Sequence, residues 1–179
     1  GVPIIQNGGV VNLKNAKFNA TGSFDHGIIV KNGWFDNDGT INIQNGTILD
    51  CGGNTGIGEG CIISGTVNMY GGTITSPSSK KSPITIGINA AKIKVVGGKI
   101  QNFDWGIYLE SQTNVSATIG NVTFENNNCD IVMSSGKKFT IQDDFQGTAS
   151  VKVNSFPCTI TTPGTSPEMC KRITYDDGF

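Results

Sequence analysis

The feature that most constrains this chain is a set of short alternating segments that return at a near-constant interval. Thr40-Ile41-Asn42-Ile43 with Gly46-Thr47-Ile48, Thr66-Val67-Asn68-Met69 with Gly72-Thr73-Ile74, Lys92-Ile93-Lys94-Val95 with Gly98-Lys99-Ile100, and Ala117-Thr118-Ile119 with Val122-Thr123-Phe124 align as copies. Their last apolar positions step by 26, 26 and 24 residues. An earlier copy, Val11-Asn12-Leu13 with Ala16-Lys17-Phe18, lies 30 residues before Ile48 and requires an insertion. A third apolar run accompanies the copies: Gly27-Ile28-Ile29-Val30, Cys61-Ile62-Ile63, Ile84-Thr85-Ile86, Gly106-Ile107-Tyr108-Leu109 and Asp130-Ile131-Val132-Met133. Each copy therefore supplies three strands. Within the first strand Ile41 and Ile43, Val67 and Met69, or Ile93 and Val95 share one face, while Asn42, Asn68 or Lys94 takes the other.

A strand this short cannot bury itself, but three per turn, stacked on equivalent strands about 4.8 Å away, form one continuous core with every backbone group paired along the axis. The turns agree, because Asn45-Gly46, Gly71-Gly72, Gly97-Gly98 and Gly120-Asn121 are residue types that tolerate positive φ at a sharp bend. The expected fold is all-β: a right-handed parallel β-helix, a three-sheet solenoid of about five rungs with a C-terminal cap. Ile48, Ile74, Ile100 and Phe124 are expected to stack in one buried column. Composition supports this, since 25 glycines, 15% charged residues and no sustained helical periodicity disfavour long helices. At 179 residues the chain is one domain, read as a parallel β-helix over 1–135 and terminal strands with a disulfide-stabilised cap over 136–179. The cap is expected because solenoid ends expose strand edges and a core cross-section.

The copies, the Gly106-Ile107-Tyr108-Leu109 strand after Asn102-Phe103-Asp104-Trp105, and Phe124-Glu125-Asn126-Asn127 resemble the pectin-lyase-like β-helix superfamily over residues 4 to 135. More narrowly, Gly71-Gly72-Thr73-Ile74, Gly97-Gly98-Lys99-Ile100 and Phe124-Glu125-Asn126-Asn127 resemble the GGxI and FxxN repeats of polymorphic autotransporter-like adhesins of bacterial surfaces. That resemblance implies a surface location and does not imply any one activity. Enzymes of the superfamily carry an Arg or Lys base beside Asp-bound calcium, or clustered Asp residues with a His and a downstream Arg-Ile-Lys. Here Arg172-Ile173-Thr174 matches that last motif only in part and lies outside the copies. His26, the sole histidine, stands beside Asp25, but neither a nucleophile nor a second acid is placed with them. Asp25 and His26 precede Ile28, and Asp104 precedes Ile107, so about three rungs, on the order of 14 Å, separate them. Paired catalytic carboxylates lie closer, about 5 to 9.5 Å apart. No catalytic residue is expected.

Charge and cysteine usage narrow the partners. The formal net charge is −1 and Arg172 is the sole arginine, so the clustered cations that nucleic-acid binding requires are missing. No run of 18 apolar residues spans a membrane, and any export signal or anchor is expected to be removed or to lie outside this sequence. Cys51 and Cys61 flank a Gly-rich stretch, Cys158 and Cys170 flank a loop with Pro163, Gly164 and Pro167, and Cys129 is left over. Two bridges and one buried thiol are expected, which favours an oxidising, extracellular compartment; five reduced cysteines are the other reading of the same spacing. The sequons at Asn19, Asn45, Asn114 and Asn121 fit secretion, though Asn/Thr-rich sequence yields such triplets by chance.

Asp36-Asn37-Asp38-Gly39 lacks the acids of an EF-hand loop and reads as a tight turn, and Asp143-Asp144 and Asp176-Asp177 as solvated turns, so no metal or cofactor is expected. Asn126, Asn127 and Asn128 are candidates for an internal ladder. Exposed aromatic faces are what sugar rings stack on, which makes Trp34, Trp105 and Tyr108 the candidate binding residues; Phe103 and Trp34 equally suit covering core edges. The function expected is an extracellular or surface-displayed module for adhesion or for binding glycan or protein. The alternatives are a structural subunit that polymerises with copies of itself end to end, and a polysaccharide-active enzyme or accessory domain.

Overall fold

The computed structural model describes residues 5–6, 10–19, 28–30, 40–45, 47–50, 62–76, 85–111, 115–153, 160–162 and 165–175. It is a parallel β-solenoid of about four turns, in which every strand pairing among the described residues is parallel. The strands are β1 (Ile5–Gln6), β2 (Val10–Leu13), β3 (Lys17–Asn19), β4 (Ile28–Val30), β5 (Thr40–Ile43), β6 (Ile48–Asp50), β7 (Ile62–Thr75) and β8 (Ile86–Gln101). They continue as β9 (Trp105–Leu109), β10 (Ser116–Ile119), β11 (Thr123–Glu125), β12 (Cys129–Met133), β13 (Phe139–Ile141), β14 (Ala149–Val153) and β15 (Ile173–Tyr175).

Three columns run along the axis, one for each strand of the repeat. The first stacks β2, β5, the middle of β7, the middle of β8, β10 and β13. The second stacks β3, β6, the ends of β7 and β8, and β11. The third stacks β1, β4, the beginnings of β7 and β8, then β9, β12, β14 and β15. β7 and β8 run through two corners each and so contribute to all three columns.

Period-two alternation decides which residues meet inside. In the first column Ile41 and Ile43 lie beside Val67 and Met69, then Ile93 and Val95, Ala117 and Ile119, and Phe139 and Ile141, all buried. In the third, Ile88, Ile107, Ile131 and Val151 stack and are fully buried. Each such aliphatic side chain contributes about 1.5–3 kcal/mol by leaving water. Because each rung's core face is completed only by its neighbours, the contacts that stabilise the fold are contacts between copies.

The second column corrects one register. Ile74, Ile100 and Phe124 stack as expected, the first two fully buried and Phe124 partly so, but Leu49 and not Ile48 pairs with Ile74. The turn after β5 holds four residues, Gln44 to Thr47, where the turn after β7's first-column segment holds Tyr70, Gly71 and Gly72. Thr47 takes the extra position and is buried, with its hydroxyl unpartnered among the described residues. Above it the corner repeats closely. Gly72 and Gly98 have φ of 84° and 87°, and a Cβ on Gly98 would fall 2.6 Å from the Gly72 carbonyl oxygen, so both the dihedral and the stacking of one corner on the next require glycine.

The corner between the second and third columns uses asparagine instead. Asn102 and Asn126 follow β8 and β11 with φ of 66° and 54°. Asn127, the last residue of the Phe124-Glu125-Asn126-Asn127 segment, accepts from the Phe103 amide (3.0 Å) and donates to the Ile100 carbonyl (3.1 Å) and to Asp130 Oδ1 (3.0 Å). It ties adjacent rungs together. Asn128 donates to Asp104 Oδ1, so Asn127 and Asn128 bind different partners, and the three asparagines do not form the expected ladder.

At the C-terminal end, β13, β14 and β15 extend the first and third columns, Thr161 bridges to Phe139 of β13, and the helix α1 (Pro167–Cys170) precedes β15. Ser166 caps α1 by accepting from the Met169 amide, Pro167 occupies its first turn, and Met169 is buried in the core cluster. Arg172 donates to the Gln146 carbonyl at 2.6 Å, which fixes this end to the turn before β14.

Candidate binding site

The first column's outward face is built by the same alternation that fills the core. Asn12, Asn42, Asn68, Lys94, Thr118 and Thr140 occupy one outward line in register. Asn42 Nδ2 donates to Asn12 Oδ1 at 2.7 Å and Asn68 Nδ2 to Asn42 Oδ1 at 2.9 Å. The asparagine ladder of this protein is therefore on its surface, where the amides left over at each end face water and any ligand.

This line leads to the corner between the first and second columns, where Lys14, Gln44 and Tyr70 follow Leu13, Ile43 and Met69 in successive rungs. The ladder slips at Tyr70, which pairs with Gly97 while Met69 pairs with Val95. The slip and the two glycines that follow leave the Tyr70 ring without a bulky neighbour in its own turn, and the residue is 48% exposed. Lys94 Nζ lies 5.8 Å from the ring centroid, within cation–π reach. Lys14, Gln44, Asn45 and Tyr70 line an open cleft of about 340 Å³. That volume falls within the range of small-ligand sites, and the lining combines one aromatic face with amide and ammonium donors.

The residues singled out from sequence distribute differently. Trp105 and Tyr108, on β9, are brought together with ring centroids 5.1 Å apart and planes tilted by 50°, both half-buried on the third column's face. Asn89 and Glu110 are joined near them by a 2.9 Å hydrogen bond. Phe103 is fully buried and belongs to the core. Trp34, Asp25, His26, Asp36 to Gly39, Asp176 and Asp177 lie outside the described residues. Cys51, Cys61 and Cys158 lie outside them too. Cys170 carries a free, exposed thiol, so the expected Cys158–Cys170 bridge is not formed in this structure; Cys129 is buried. Its thiol faces the carbonyls of Ile131 and Ser150.

Tyr70 was not among the sequence candidates, although a signal for it exists. It follows the inward Met69, so alternation turns it outward, and Gly71-Gly72 offers nothing to cover it.

Three of the described carboxylates tie rungs together. Asp104 Oδ2 accepts from the Thr85 amide (2.8 Å) and hydroxyl (2.9 Å), and its own amide donates to the Thr85 hydroxyl oxygen at 2.9 Å. Asp130 and Ser150 repeat this clasp two rungs away, at 2.8, 3.0 and 2.9 Å. Glu125 pairs with Lys99 across neighbouring rungs of the second column. Among the described residues no three His, Cys, Asp or Glu side chains are placed to share a metal ion, and no helix is long and apolar enough to cross a membrane. Comparison with protein-family models, with curated proteins and with solved structures finds no match to this chain.

Proposed function

We propose that this protein is an extracellular, non-enzymatic module that binds glycan through the Tyr70 cleft and the asparagine ladder beside it. The observation that carries the reading is the exposed Tyr70 ring, set in a cleft lined by Lys14, Gln44 and Asn45. An exposed aromatic face stacks on the C–H face of a sugar ring, while amide and ammonium donors around it select hydroxyl and ring oxygens. Rigidity supports the same reading. Donors fixed on stacked strands lose little freedom when a ligand arrives, which raises affinity for a repeating polymer.

Chemistry at this cleft is not part of the proposal, because none of the described residues lining it is an acid and the carboxylates of Asp104 and Asp130 are engaged in the clasps. End-to-end assembly finds less support, since the C-terminal end is stepped. The second column ends at β11 among the described residues, whereas the third continues through β12, β14 and β15. A second copy stacked there would meet residues 160–162 of the first column, β15 of the third and no described strand of the second, instead of a full rung. A glycan array probed with the wild-type chain and with Tyr70→Ala tests the reading. The expected result is a set of bound glycans whose signal is lost in the variant while its melting temperature is kept. Wild-type binding that Tyr70→Ala leaves intact, or binding to no glycan and to protein ligands instead, overturns it.

A further inference from the structure

Five of the six stacked segments that form the outward face and its corner, residues 10–16, 40–47, 66–72, 92–98 and 116–122, contain Lys14, Lys92 and Lys94 and not one Asp or Glu, while the sixth, at the far end of the column, carries Asp143 and Asp144 in its corner. The whole chain has 14 acidic residues against 13 basic ones, so the rungs around Tyr70 are a local departure from a nearly balanced composition. We infer that the Tyr70 corner selects a sulfated polysaccharide lying along the solenoid axis, an inference that rests on the glycan reading above.

Three features of the geometry point to that class. First, two cations meet at the ring. Lys14 stands two rungs before Tyr70 and lines the same cleft, and Lys94, one rung after it, holds its ammonium 5.8 Å from the ring centroid. A sugar held at Tyr70 then has ammonium groups beside it, which suits an anionic substituent on that sugar or on its immediate neighbour. Second, the cations are lysines. A planar carboxylate is matched best by the two-pronged arginine guanidinium, whereas an ammonium acts as a point charge toward any oxygen of a tetrahedral sulfate ester. The single arginine, Arg172, is held at the far end of the molecule by the Gln146 carbonyl. Third, the ladder of Asn12, Asn42 and Asn68 presents amides at the rung spacing beside the cleft, and amides hydrogen-bond both hydroxyls and sulfate oxygens without adding charge.

The test is calorimetric titration of the full chain with three ligands of equal length: a sulfated galactan hexasaccharide, the same hexasaccharide after desulfation, and an oligogalacturonate. The expected order places the sulfated ligand first, by about tenfold or more, with an advantage that shrinks as salt is raised. Lys14→Gln combined with Lys94→Gln should bring the sulfated ligand down to the affinity of the desulfated one. Tyr70→Ala should weaken both, and Lys171→Gln, at the C-cap of α1, should change neither. Oligogalacturonate bound as tightly as the sulfated ligand, or an affinity indifferent to the two lysines, overturns the inference. Equal binding of the sulfated and desulfated ligands that still depends on Tyr70 overturns the charge selection and leaves the glycan reading standing. Binding of none of the three in a Tyr70-dependent way defeats both. All of the substituted side chains are at least partly exposed, and a melting curve for each variant separates lost binding from lost fold.

Discussion

Single residues in this protein act through the rung above and the rung below. Ile74 is fully buried and has Leu49 on one side and Ile100 on the other in register. Truncation to alanine leaves a void that two neighbouring rungs must share, so Ile74→Ala should lower the unfolding free energy by about 2–5 kcal/mol in urea titration. Thr47 should behave in the opposite sense. Its hydroxyl is buried without a partner among the described residues, and Thr47→Val keeps the shape while removing the unmet polar atom. The expected gain is about 1 kcal/mol in the same measurement. A loss of stability in Thr47→Val would mean that the hydroxyl has a partner, such as a bound water, and that the extra residue of this turn is better accommodated than its burial suggests.

At the scale of elements, the corners do more than the strands to set the shape. The strands were legible from sequence because Ile41-Asn42-Ile43 and its copies alternate with period two, and the three-per-copy count follows from where the apolar runs recur. The corners were only half legible. Glycine pairs marked where the first bend falls, but nothing in the local sequence distinguishes the four-residue turn ending at Thr47 from a three-residue turn that would place Ile48 in the column. That choice is made by tertiary packing, when the longer turn settles Thr47 inside. Similarly, Phe103 and Trp105 look alike as aromatics two residues apart, yet one is fully buried and the other half-exposed. The aspartate clasps were illegible for a different reason. Asp104 meets Thr85, and Asp130 meets Ser150, across rungs 19 and 20 residues apart, and such pairs appear only once the register is known. The strictest corner is Gly98, where a side chain meets both a positive φ and the Gly72 carbonyl. Gly98→Ala should cost more than about 1 kcal/mol, whereas Gly136→Ala, also at positive φ but with nothing within 4 Å of the added carbon, should cost only the backbone penalty. Comparing the two melting temperatures separates stacking from dihedral strain, and equal losses would remove the close approach of corners from the account.

For the whole molecule, the consequence of stacking is a rigid surface whose chemistry repeats along one direction. The core faces of the three columns are apolar and close to interchangeable, while the outward faces differ: amides and lysines around Tyr70 on the first, the Lys99–Glu125 pair on the second, and the Trp105–Tyr108 pair with its aspartate clasps on the third. Function on such a scaffold belongs to a face and not to the fold. The central claim is that the first face and its corner form the binding surface, and amide chemical-shift mapping on isotopically labelled protein tests it most directly. Adding the sulfated galactan hexasaccharide should shift the amides of Lys14, Asn45, Tyr70 and Lys94 together with those of Asn42 and Asn68, and leave Trp105, Tyr108 and β14 unmoved. Shifts that cluster instead on Trp105 and Tyr108, or on the strands at either end of the solenoid, would contradict it.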